Sequence, residues 1–359
     1  MKANVAASRP VLITGGAGFI GTNVAERLLR DGRPVTIYDN LSRSGVEQNL
    51  AALLKRHPSG SVKVVEGDVA DAPRLRSAVK DASAVYHFAA QVAVTTSLED
   101  PIGDFDTNAR GTLNLLEAVR AVDPSMPLLF TSTNKVYGDL KDVTVVEEAS
   151  RYLAPAGSPA ASGVDESRSV SFHSPYGCSK GAADQYFLDY TRTFGMNATV
   201  FRMSCIYGPH QFGTEDQGWI AHFIMQALQD LPVTIYGDGK QVRDILFVED
   251  LVEAMVLAHR HIDRTRGVPF NIGGGPGNTI SLLELAERIE RLQGKPMLLR
   301  HAPWRTADQR YYVSDTRRFH TATGWEAKVG VKEGVERLFH WLRENRQPAP
   351  KAEKVLAYP

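Results

Sequence analysis

A glycine-rich turn constrains the fold of this chain more than any other feature. Val11–Thr14 is predicted to be a buried strand, and the sequence TGGAGFIG occupies residues 14–21. From about Phe19 to Arg30, apolar residues recur at helical spacing. Glycines allow a tight turn and let backbone N–H groups approach a pyrophosphate at the N-terminus of the helix. The pattern therefore predicts the first strand–turn–helix unit of a dinucleotide-binding fold.

An acidic residue at the end of the second predicted strand indicates which dinucleotide binds. Asp39 lies 18 residues after Gly21, close to the spacing of about 20 that such folds use. A carboxylate there accepts hydrogen bonds from the adenosine ribose and repels a 2′-phosphate, so NAD is favoured over NADP. Arg43, four residues further on, is the one residue that argues against this choice. The other expected cofactor contacts on this side are Gly15, Gly18, Phe19, Ile20, Gly21 and Asn40.

Two more segments follow predicted strands and are expected beside the cofactor. Asp68 and Val69 follow the third strand, where Asp68 lies either next to the adenine amine or at a helix or turn cap. The fourth strand ends in small residues, which allow a close approach of the backbone to a cofactor; the expected contacts there are Ala89, Ala90 and Gln91. His87 is assigned a buried structural role.

Short apolar runs alternate with helical patterns along most of the chain, which favours an α/β fold with a parallel sheet. We expect a Rossmann-type doubly wound parallel sheet with a smaller C-terminal substrate-binding lobe. Further strands are predicted near residues 34–38, 62–65, 84–88, 128–131 and 198–202. Further helices are predicted near residues 104–119, 175–194, 218–229, 250–259, 281–292 and 331–343.

These elements suggest a division of the chain into two lobes. Residues 1–204, with about 242–272, are expected to form the NAD-binding domain. Residues 205–241 and 273–346 are expected to form the substrate-binding lobe, and 347–359 a mobile tail. The segment 141–174 is rich in Ala, Pro, Ser and Gly, which predicts a long surface excursion rather than core.

Composition excludes several classes of function. Lys plus Arg and Asp plus Glu number 41 each, and this neutral balance gives no reason to expect nucleic acid or an anionic membrane as a partner. Cys178 and Cys205 are the only cysteines, too few for a disulfide framework. No apolar run approaches the roughly 18 residues of a membrane helix, and no secretory pattern is found. We expect a cytoplasmic protein and assign no metal ligands.

A Tyr-x-x-x-Lys pattern indicates the chemistry. Tyr176 and Lys180 are four residues apart, on one face of a predicted helix. A nearby ammonium and the positive nicotinamide both favour phenolate, so Tyr176 can act as a base near neutral pH. The pattern is common by chance, and its weight comes from following a nucleotide-binding half and a polar strand end at 131–133. The hydroxyl of Thr133 is expected to hold the substrate oxygen against Tyr176.

The glycine-rich turn, the acidic residue after the second strand, the small residues after the fourth strand and the Tyr-x-x-x-Lys pattern follow one another along the chain. In this order they resemble the extended short-chain dehydrogenase/reductase family, and the resemblance extends from Val11 to about Arg343. The resemblance implies that Thr133, Tyr176 and Lys180 are catalytic, the last two also touching the cofactor. It implies that Asn108 supports the fourth-strand region near the cofactor. It also implies a nucleotide-sugar substrate whose diphosphate is held by Arg243, Arg305 and Asp308. Finally, it implies a homodimer or homotetramer that pairs through the helices near 104–119 and 175–194.

Longer strings are similar to those of family members that epimerise C-2 of CDP-linked hexoses. They span residues 132–138, 172–186, 216–220 and 308–315. This resemblance implies substrate contacts from Asn134, Lys135 and Gln217, and a transient 2-keto sugar. Many extended members carry Asn where this chain has Cys205, which leaves Cys205 as either a lining residue or a small buried hydrophobe.

Three other functions stay open. An NDP-sugar 4-epimerase needs only the same hydroxyl, tyrosine and lysine. A sugar-nucleotide 4,6-dehydratase resembles this segment but carries Asp-Glu after the threonine, where this chain has Asn134 and Lys135, so elimination of water is disfavoured. A non-catalytic NAD-binding protein is disfavoured because Thr133, Tyr176 and Lys180 are all present. We expect an NAD-dependent nucleotide-sugar epimerase that inverts C-2.

Overall fold

The structure is a computed structural model that describes residues 9–58, 60–305 and 308–345. Its strands, in chain order, are β1 (Val11–Thr14), β2 (Val35–Asp39), β3 (Val62–Glu66), β4 (Ala84–His87), β5 (Leu128–Thr133), β6 (Val146–Glu147), β7 (Tyr152–Leu153), β8 (Ala198–Met203), β9 (Cys205–Tyr207), β10 (Val233–Tyr236), β11 (Val242–Phe247), β12 (Pro269–Ile272), β13 (Thr279–Ser281), β14 (Leu299–Ala302) and β15 (Tyr311–Tyr312).

The α-helices, in chain order, are α1 (Phe19–Arg30), α2 (Val46–Arg56), α3 (Ala72–Lys80), α4 (Val94–Glu99), α5 (Pro101–Phe105), α6 (Gly111–Val122), α7 (Ser174–Phe194), α8 (Trp219–Leu228), α9 (Val248–Arg260), α10 (Ile262–Thr265), α11 (Leu282–Gln293), α12 (Arg317–Thr323) and α13 (Val331–Glu344). A π-helical segment spans Asp106–Arg110, and 3-10 turns span Asn134–Tyr137 and Pro159–Ser162. Within the described residues, none of the helices combines the length and apolarity that crossing a bilayer requires.

The central sheet has seven parallel strands in the order β3-β2-β1-β4-β5-β8-β12. Side chains alternate across it: Val11 and Ile13 pack with α1, α2 and α9, whereas Leu12 packs with α3, α6 and α7. Strand order reverses between β1 and β4, and ligands of such sheets bind at the carboxyl ends beside this reversal. The predicted doubly wound α/β fold is confirmed.

A smaller set of elements packs beyond this sheet. Strand β11 pairs with β9, β13 and β15, while β10 pairs with β14. Helices α8, α11 and α13 enclose a second apolar core with Ile245 and Phe247, whereas Leu246 of the same strand faces the core of the large sheet. Strand β11 is therefore shared by both bodies. The proposed domain limits stay a prediction, and residues 1–8 and the expected tail 347–359 lie outside the described residues.

The segment 141–174 was expected on the surface, and this expectation is wrong in part. Tyr152 and Val164 are buried, at 4% and 9% exposure. The Tyr152 N–H donates to the Lys240 carbonyl at 2.9 Å, and the Val164 N–H donates to the Val313 carbonyl at 2.7 Å. These backbone bonds attach the segment to the smaller body, which a composition of small and turn-forming residues does not reveal.

Candidate active site

The glycine-rich turn is packed too tightly for side chains. Gly15 has a φ of +68°, and a Cβ there would lie 2.6 Å from the backbone nitrogen of Ala89. A Cβ on Gly21 would lie 2.4 Å from the Gly15 carbonyl oxygen. Gly18 caps α1, and Phe19 and Ile20 begin it. Without side chains at these glycines, an anion can approach the first backbone N–H groups of α1 closely and accept hydrogen bonds from them. Binding of a dinucleotide pyrophosphate requires such an approach.

Asp39 is fixed against this turn by two backbone donors. Its Oδ2 accepts a hydrogen bond from the Ala17 N–H at 3.0 Å, and its Oδ1 accepts one from the Leu41 N–H at 2.9 Å. Burial raises the pKa of Asp39, and these two donors oppose part of the rise. These contacts hold a carboxylate beside the glycine-rich turn, where it can accept hydrogen bonds from ribose hydroxyls, so the residues present fit NAD.

Asp68 follows β3 and caps its own turn. Its Oδ1 accepts from the Ala70 N–H at 2.8 Å, while its Oδ2 accepts from the Asn40 side-chain amide at 2.7 Å. The turn-cap interpretation therefore holds, and the contact of Asp68 with adenine stays a prediction. Val69 is buried, and a Cβ on Gly111 would touch its side chain, so Val69 braces α6 beside this turn.

The loop after β4 is tied to the π-helical segment. Asn108 Oδ1 accepts from the Gln91 N–H at 2.9 Å, and Asn108 Nδ2 donates to the Gln91 carbonyl at 3.0 Å. The single helix expected over 104–119 is thus interrupted by a π-helical turn, a feature frequent at functional sites. Asn108 is thus hydrogen-bonded to the loop that carries Ala89, Ala90 and Gln91, and the contact of this loop with the cofactor stays a prediction.

His87 has no free nitrogen for chemistry. Its Nδ1 lies 2.6 Å from the Thr14 hydroxyl and its Nε2 lies 3.1 Å from the Thr112 hydroxyl. Burial, followed by the charge of Lys180, lowers the pKa of His87 to about 3. The histidine is neutral and structural.

The three candidate catalytic residues lie together at the carboxyl edge of the sheet. Tyr176 lies in the first turn of α7, and its side chain is hydrogen-bonded to Thr133 at the end of β5. Lys180, one turn further along, donates from Nζ to the Thr131 carbonyl at 2.7 Å. The Tyr176 N–H donates to the Ser97 hydroxyl at 3.1 Å, which fixes the start of the helix against α4.

Burial dominates the electrostatics of this group. It raises the pKa of Tyr176 to about 12, while the Thr133 hydrogen bond opposes the shift and the charge of Asp104 adds to it. Burial likewise lowers the pKa of Lys180 to about 7, against the charges of Asp184 and Asp104. The protein by itself thus favours neutral phenol, and a positive nicotinamide would shift the balance towards phenolate.

Most of the candidate phosphate-binding residues surround one carboxylate. Arg243 Nη2 lies 2.7 Å from Asp308 Oδ1, and Lys135 Nζ lies 3.8 Å from the same atom. Burial would raise the pKa of Asp308, but the charges of Arg243 and Lys135 outweigh it and lower that pKa. Arg305 lies nearby, its guanidinium 4.0 Å from the ring centre of Tyr236. Arg305 Nη1 also lies 3.3 Å from Asp216 Oδ1, so three cations face two carboxylates, and the remaining positive charge leaves the cluster able to attract a diphosphate.

The remaining predicted substrate residues have other contacts. Asn134 Nδ2 donates to Gln309 Oε1 at 3.1 Å, which ties the turn after β5 to the fully buried Gln309. The guanidinium of Arg43 donates to Gln217, so Gln217 reaches towards the Asp39 side rather than joining the Asp308 cluster. Arg43, the residue that argued against NAD, is therefore paired with Gln217.

Cys205 lies at the substrate end of the site. Its Sγ accepts a hydrogen bond from the Trp219 indole N–H at 3.4 Å, and it is only partly buried. It packs against the apolar core that contains Ile245 and Phe247, and the charges of Arg243 and Lys135 also act on it, so the lining and the core interpretations both stay open. Burial is nonetheless the largest influence and raises the pKa of the thiol.

Comparison with known proteins shows the family of this chain. The profile of the NAD dependent epimerase/dehydratase family matches residues 11–273. CDP-paratose 2-epimerase of Salmonella typhi is 44% identical over 339 residues, which cover 92% of this chain and 98% of that protein. The structure of Thermus thermophilus UDP-glucose 4-epimerase in complex with NAD is 32% identical, with a TM-score of 0.77, and the match covers 93% of this chain and 99% of that one.

A third similar protein has a structure with both a nucleotide sugar and NAD bound. The structure of Bacillus cereus UDP-glucuronic acid 4-epimerase in complex with UDP-glucuronic acid and NAD is 25% identical, with a TM-score of 0.80. The match covers 94% of this chain and 98% of that one. Each relative is matched over nearly its full length, and the family profile spans the whole Rossmann sheet. The chain therefore belongs to the NAD dependent epimerase/dehydratase family, within the extended short-chain dehydrogenases/reductases that its motifs resemble.

Proposed function

We propose that this protein is an NAD-dependent epimerase that inverts C-2 of a CDP-linked hexose, of the CDP-paratose and CDP-tyvelose type, through a transient 2-keto sugar. The observation that carries the proposal is the meeting of Thr133, Tyr176 and Lys180 at the edge of the sheet. The choice of C-2 and of CDP is supported by the 44% identity to a CDP-paratose 2-epimerase.

The residues of the chain account for the proton transfers. Thr133 holds the substrate hydroxyl, and Tyr176 as phenolate removes its proton, which is general base catalysis. Lys180 in its protonated form contributes positive charge that favours the phenolate. Bound NAD supplies the reversible hydride acceptor for the sugar carbon. When the 2-keto sugar has exposed its other face, C-2 would regain its hydride from the bound cofactor and Tyr176 returns a proton to the oxygen, so the cycle is redox-neutral.

The turn after Thr133 disfavours elimination of water. Asn134 has no acidic proton and is bonded to Gln309. Lys135 pairs with Asp308, at the phosphate end of the cleft. The position that would need an acid–base pair for a 4,6-dehydratase therefore has none, which leaves epimerisation as the better-supported chemistry.

The phosphate end supports a nucleotide diphosphate as the substrate handle. Arg243 and Arg305 offer planar guanidinium groups that can pair with phosphate oxygens in a bidentate manner. Lys135 adds a point charge beside them. Of the remaining predicted contacts, Gln217 is the one that reaches the adenosine side of the cleft, and we assign it to closing the site.

A turnover assay tests the proposal. Purified protein is incubated with CDP-paratose and with CDP-tyvelose, and the products are followed by nuclear magnetic resonance of the sugar ring. UDP-glucose and dTDP-glucose serve as controls for a 4-epimerase and a 4,6-dehydratase. Interconversion at C-2 without added NAD is expected. Conversion of UDP-glucose alone would assign the chemistry to C-4, and a 4-keto-6-deoxy product would assign it to elimination.

We also infer a homodimer or homotetramer in the cytoplasm. Helices α4, α5 and α7 expose large apolar side chains: Leu98, Ile102, Phe105, Tyr186 and Phe194, with Ile102 74% exposed. Exposed apolar side chains grouped on neighbouring helices favour burial against a second copy. Both cysteines are unpaired, as in a reducing compartment. Light scattering tests the oligomer, since a monomer at micromolar concentration would contradict it.

A further inference from the structure

Asp104 is a buried carboxylate that the proposed mechanism leaves without a role. It lies on α5 and is 1% exposed. Its Oδ1 accepts hydrogen bonds from Gln91 Nε2 at 2.8 Å and from Asn108 Nδ2 at 3.2 Å. Its Oδ2 accepts one from the Ser179 hydroxyl. A single carboxylate therefore joins the loop after β4, the π-helical segment and the catalytic helix α7.

These contacts lead directly to the catalytic turn. Ser179 lies between Tyr176 and Lys180 in the helix, and its hydroxyl is also 3.2 Å from the Tyr176 carbonyl. Asn108 Nδ2 lies 3.0 Å from the same hydroxyl. The position of Tyr176 relative to the cofactor-side loop therefore depends on a network centred on Asp104.

The hydrogen-bond partners of Asp104 are two amides and a hydroxyl, all of them neutral. A buried carboxylate held by neutral donors is costly to desolvate, and an amide of similar shape would avoid that cost. The presence of a carboxylate rather than an amide at position 104 therefore needs a reason other than stability. The charge of Asp104 acts on both Tyr176 and Lys180, which supplies one.

We propose that Asp104 is a positioning residue for the epimerisation: it fixes the turn of α7 that carries Tyr176 against the cofactor-side loop and keeps a negative charge beside the Tyr176–Lys180 pair. The proposal rests on the proposed function in taking Tyr176 as the base. Asp104 hydrogen-bonds to Gln91, Asn108 and Ser179 and to neither of the candidate phosphate-binding arginines, so we expect binding of the nucleotide diphosphate to be unaffected.

The sign of the charge effect follows from the groups around the pair. Lys180 is faced by Asp104 and Asp184, and Asp104 is itself faced by Asp100 at the start of its helix. The negative charge of Asp104 raises the pKa of Tyr176 and opposes the lowering of the pKa of Lys180. Removal of that charge lowers both values. The active form requires phenolate with ammonium, so both limbs of the pH–rate profile move to lower pH.

The test is the pH dependence of turnover in the Asp104→Asn holoenzyme, measured from about pH 5 to 11. Both limbs of the kcat/KM profile are expected to shift to lower pH by about one unit. The matched control is Asp106→Asn, the same change two residues along, where the carboxylate pairs with Arg110 at 3.0 Å; its limbs stay at the wild-type positions. A lowered kcat with unmoved limbs in Asp104→Asn would overturn the proposal.

Ser179→Ala keeps the test decisive if Asp104→Asn does not fold. This variant retains the charge but removes the hydroxyl that connects it to the catalytic turn. A loss of about 10- to 100-fold in kcat is expected, with NAD content and the KM for the nucleotide sugar unchanged. A wild-type kcat would contradict the positioning role. Failure of the proposed C-2 chemistry would appear instead in the identity of the product that the wild-type protein forms. That result does not depend on the kcat of either variant.

Discussion

Lys180 donates from Nζ to the backbone carbonyl of Thr131 at 2.7 Å, and both residues are buried. Burial lowers the pKa of this lysine to about 7, whereas lysine in an unfolded chain titrates at about 10.4. Between these two values the unfolded chain binds the proton and the folded chain does not. Burial of Lys180 therefore costs no free energy of unfolding above about pH 10.4, where the lysine is neutral in both states. The free energy of unfolding decreases as the pH falls from about 10.4 to about 7.

This difference predicts a pH-dependent effect of Lys180→Met on stability. The Tm of the variant minus that of the wild type should be largest at or below about pH 7 and should shrink towards pH 10. Differential scanning fluorimetry across this range measures it. The control is Lys55→Met on an exposed face of α2, for which the difference should not follow this trend. A constant difference for Lys180→Met would show that the lysine is not held with a lowered pKa.

Tyr176→Phe removes the hydroxyl and retains the ring. Because the proposed role of the hydroxyl is to move a proton, we expect a loss of about 100- to 10,000-fold in kcat, with the Tm and the bound NAD retained. Tyr186→Phe, ten residues along the same helix and 43% exposed, should keep wild-type activity. Near wild-type turnover of Tyr176→Phe would remove this residue from the mechanism.

Asp39→Asn tests the choice of cofactor. The change keeps the shape of the side chain but removes the charge that is expected to favour hydrogen bonds from the ribose hydroxyls and to repel a 2′-phosphate. NAD should bind about 10- to 100-fold more weakly, and the preference for NAD over NADP should narrow, as measured by calorimetry. Asp31→Asn, where the carboxylate pairs with Arg27 at the end of α1, is the control. Unchanged NAD affinity in Asp39→Asn would contradict the assignment.

A buried ion pair connects the catalytic helix to the sheet. Arg202 on β8 makes a two-pronged contact with Asp184, through Nε at 2.9 Å and Nη2 at 2.9 Å. Asp184→Asn leaves a buried guanidinium without its counter-charge, so the free energy of unfolding should fall by about 3–5 kcal/mol. Asp189→Asn breaks an exposed pair with Arg192 on the same helix and should cost less than about 1 kcal/mol. Denaturant unfolding curves compare them, and equal losses would be inconsistent with this account.

The parts of the site that sequence alone predicts are those with local spacing rules. The turn around Gly15 lies between a strand and a helix, Asp39 ends the next strand, and Tyr176 and Lys180 share a helix face. Local periodicity indicates each of these, and the structure has the elements where they were expected. The family and the fold class are confirmed, while the roles of the site residues stay predictions.

Contacts between distant segments left no such signal. Asp104 lies in a run predicted as one helix, and nothing local indicates that it meets Ser179, 75 residues away. The only sign of Asp104 in the sequence is a carboxylate on the face of an amphipathic helix that becomes buried. This sign indicates a candidate site only after the structure has shown which face is buried. The burial of Tyr152 was missed for a similar reason, since its partners near Lys240 lie far along the chain.

The measurement that tests the central claim most directly is the fate of the hydrogen at C-2. If Tyr176 moves only the hydroxyl proton, the carbon-bound hydrogen never becomes exchangeable with water. Turnover of a CDP-hexose in heavy water should give product without deuterium at C-2, and substrate deuterated at C-2 should keep its label through inversion. Deuterium from solvent at C-2 would contradict the account, because its incorporation requires a carbanion at C-2. A base must remove a proton from carbon to form that carbanion, and neither Asn134 nor Lys135 provides a carboxylate for this step.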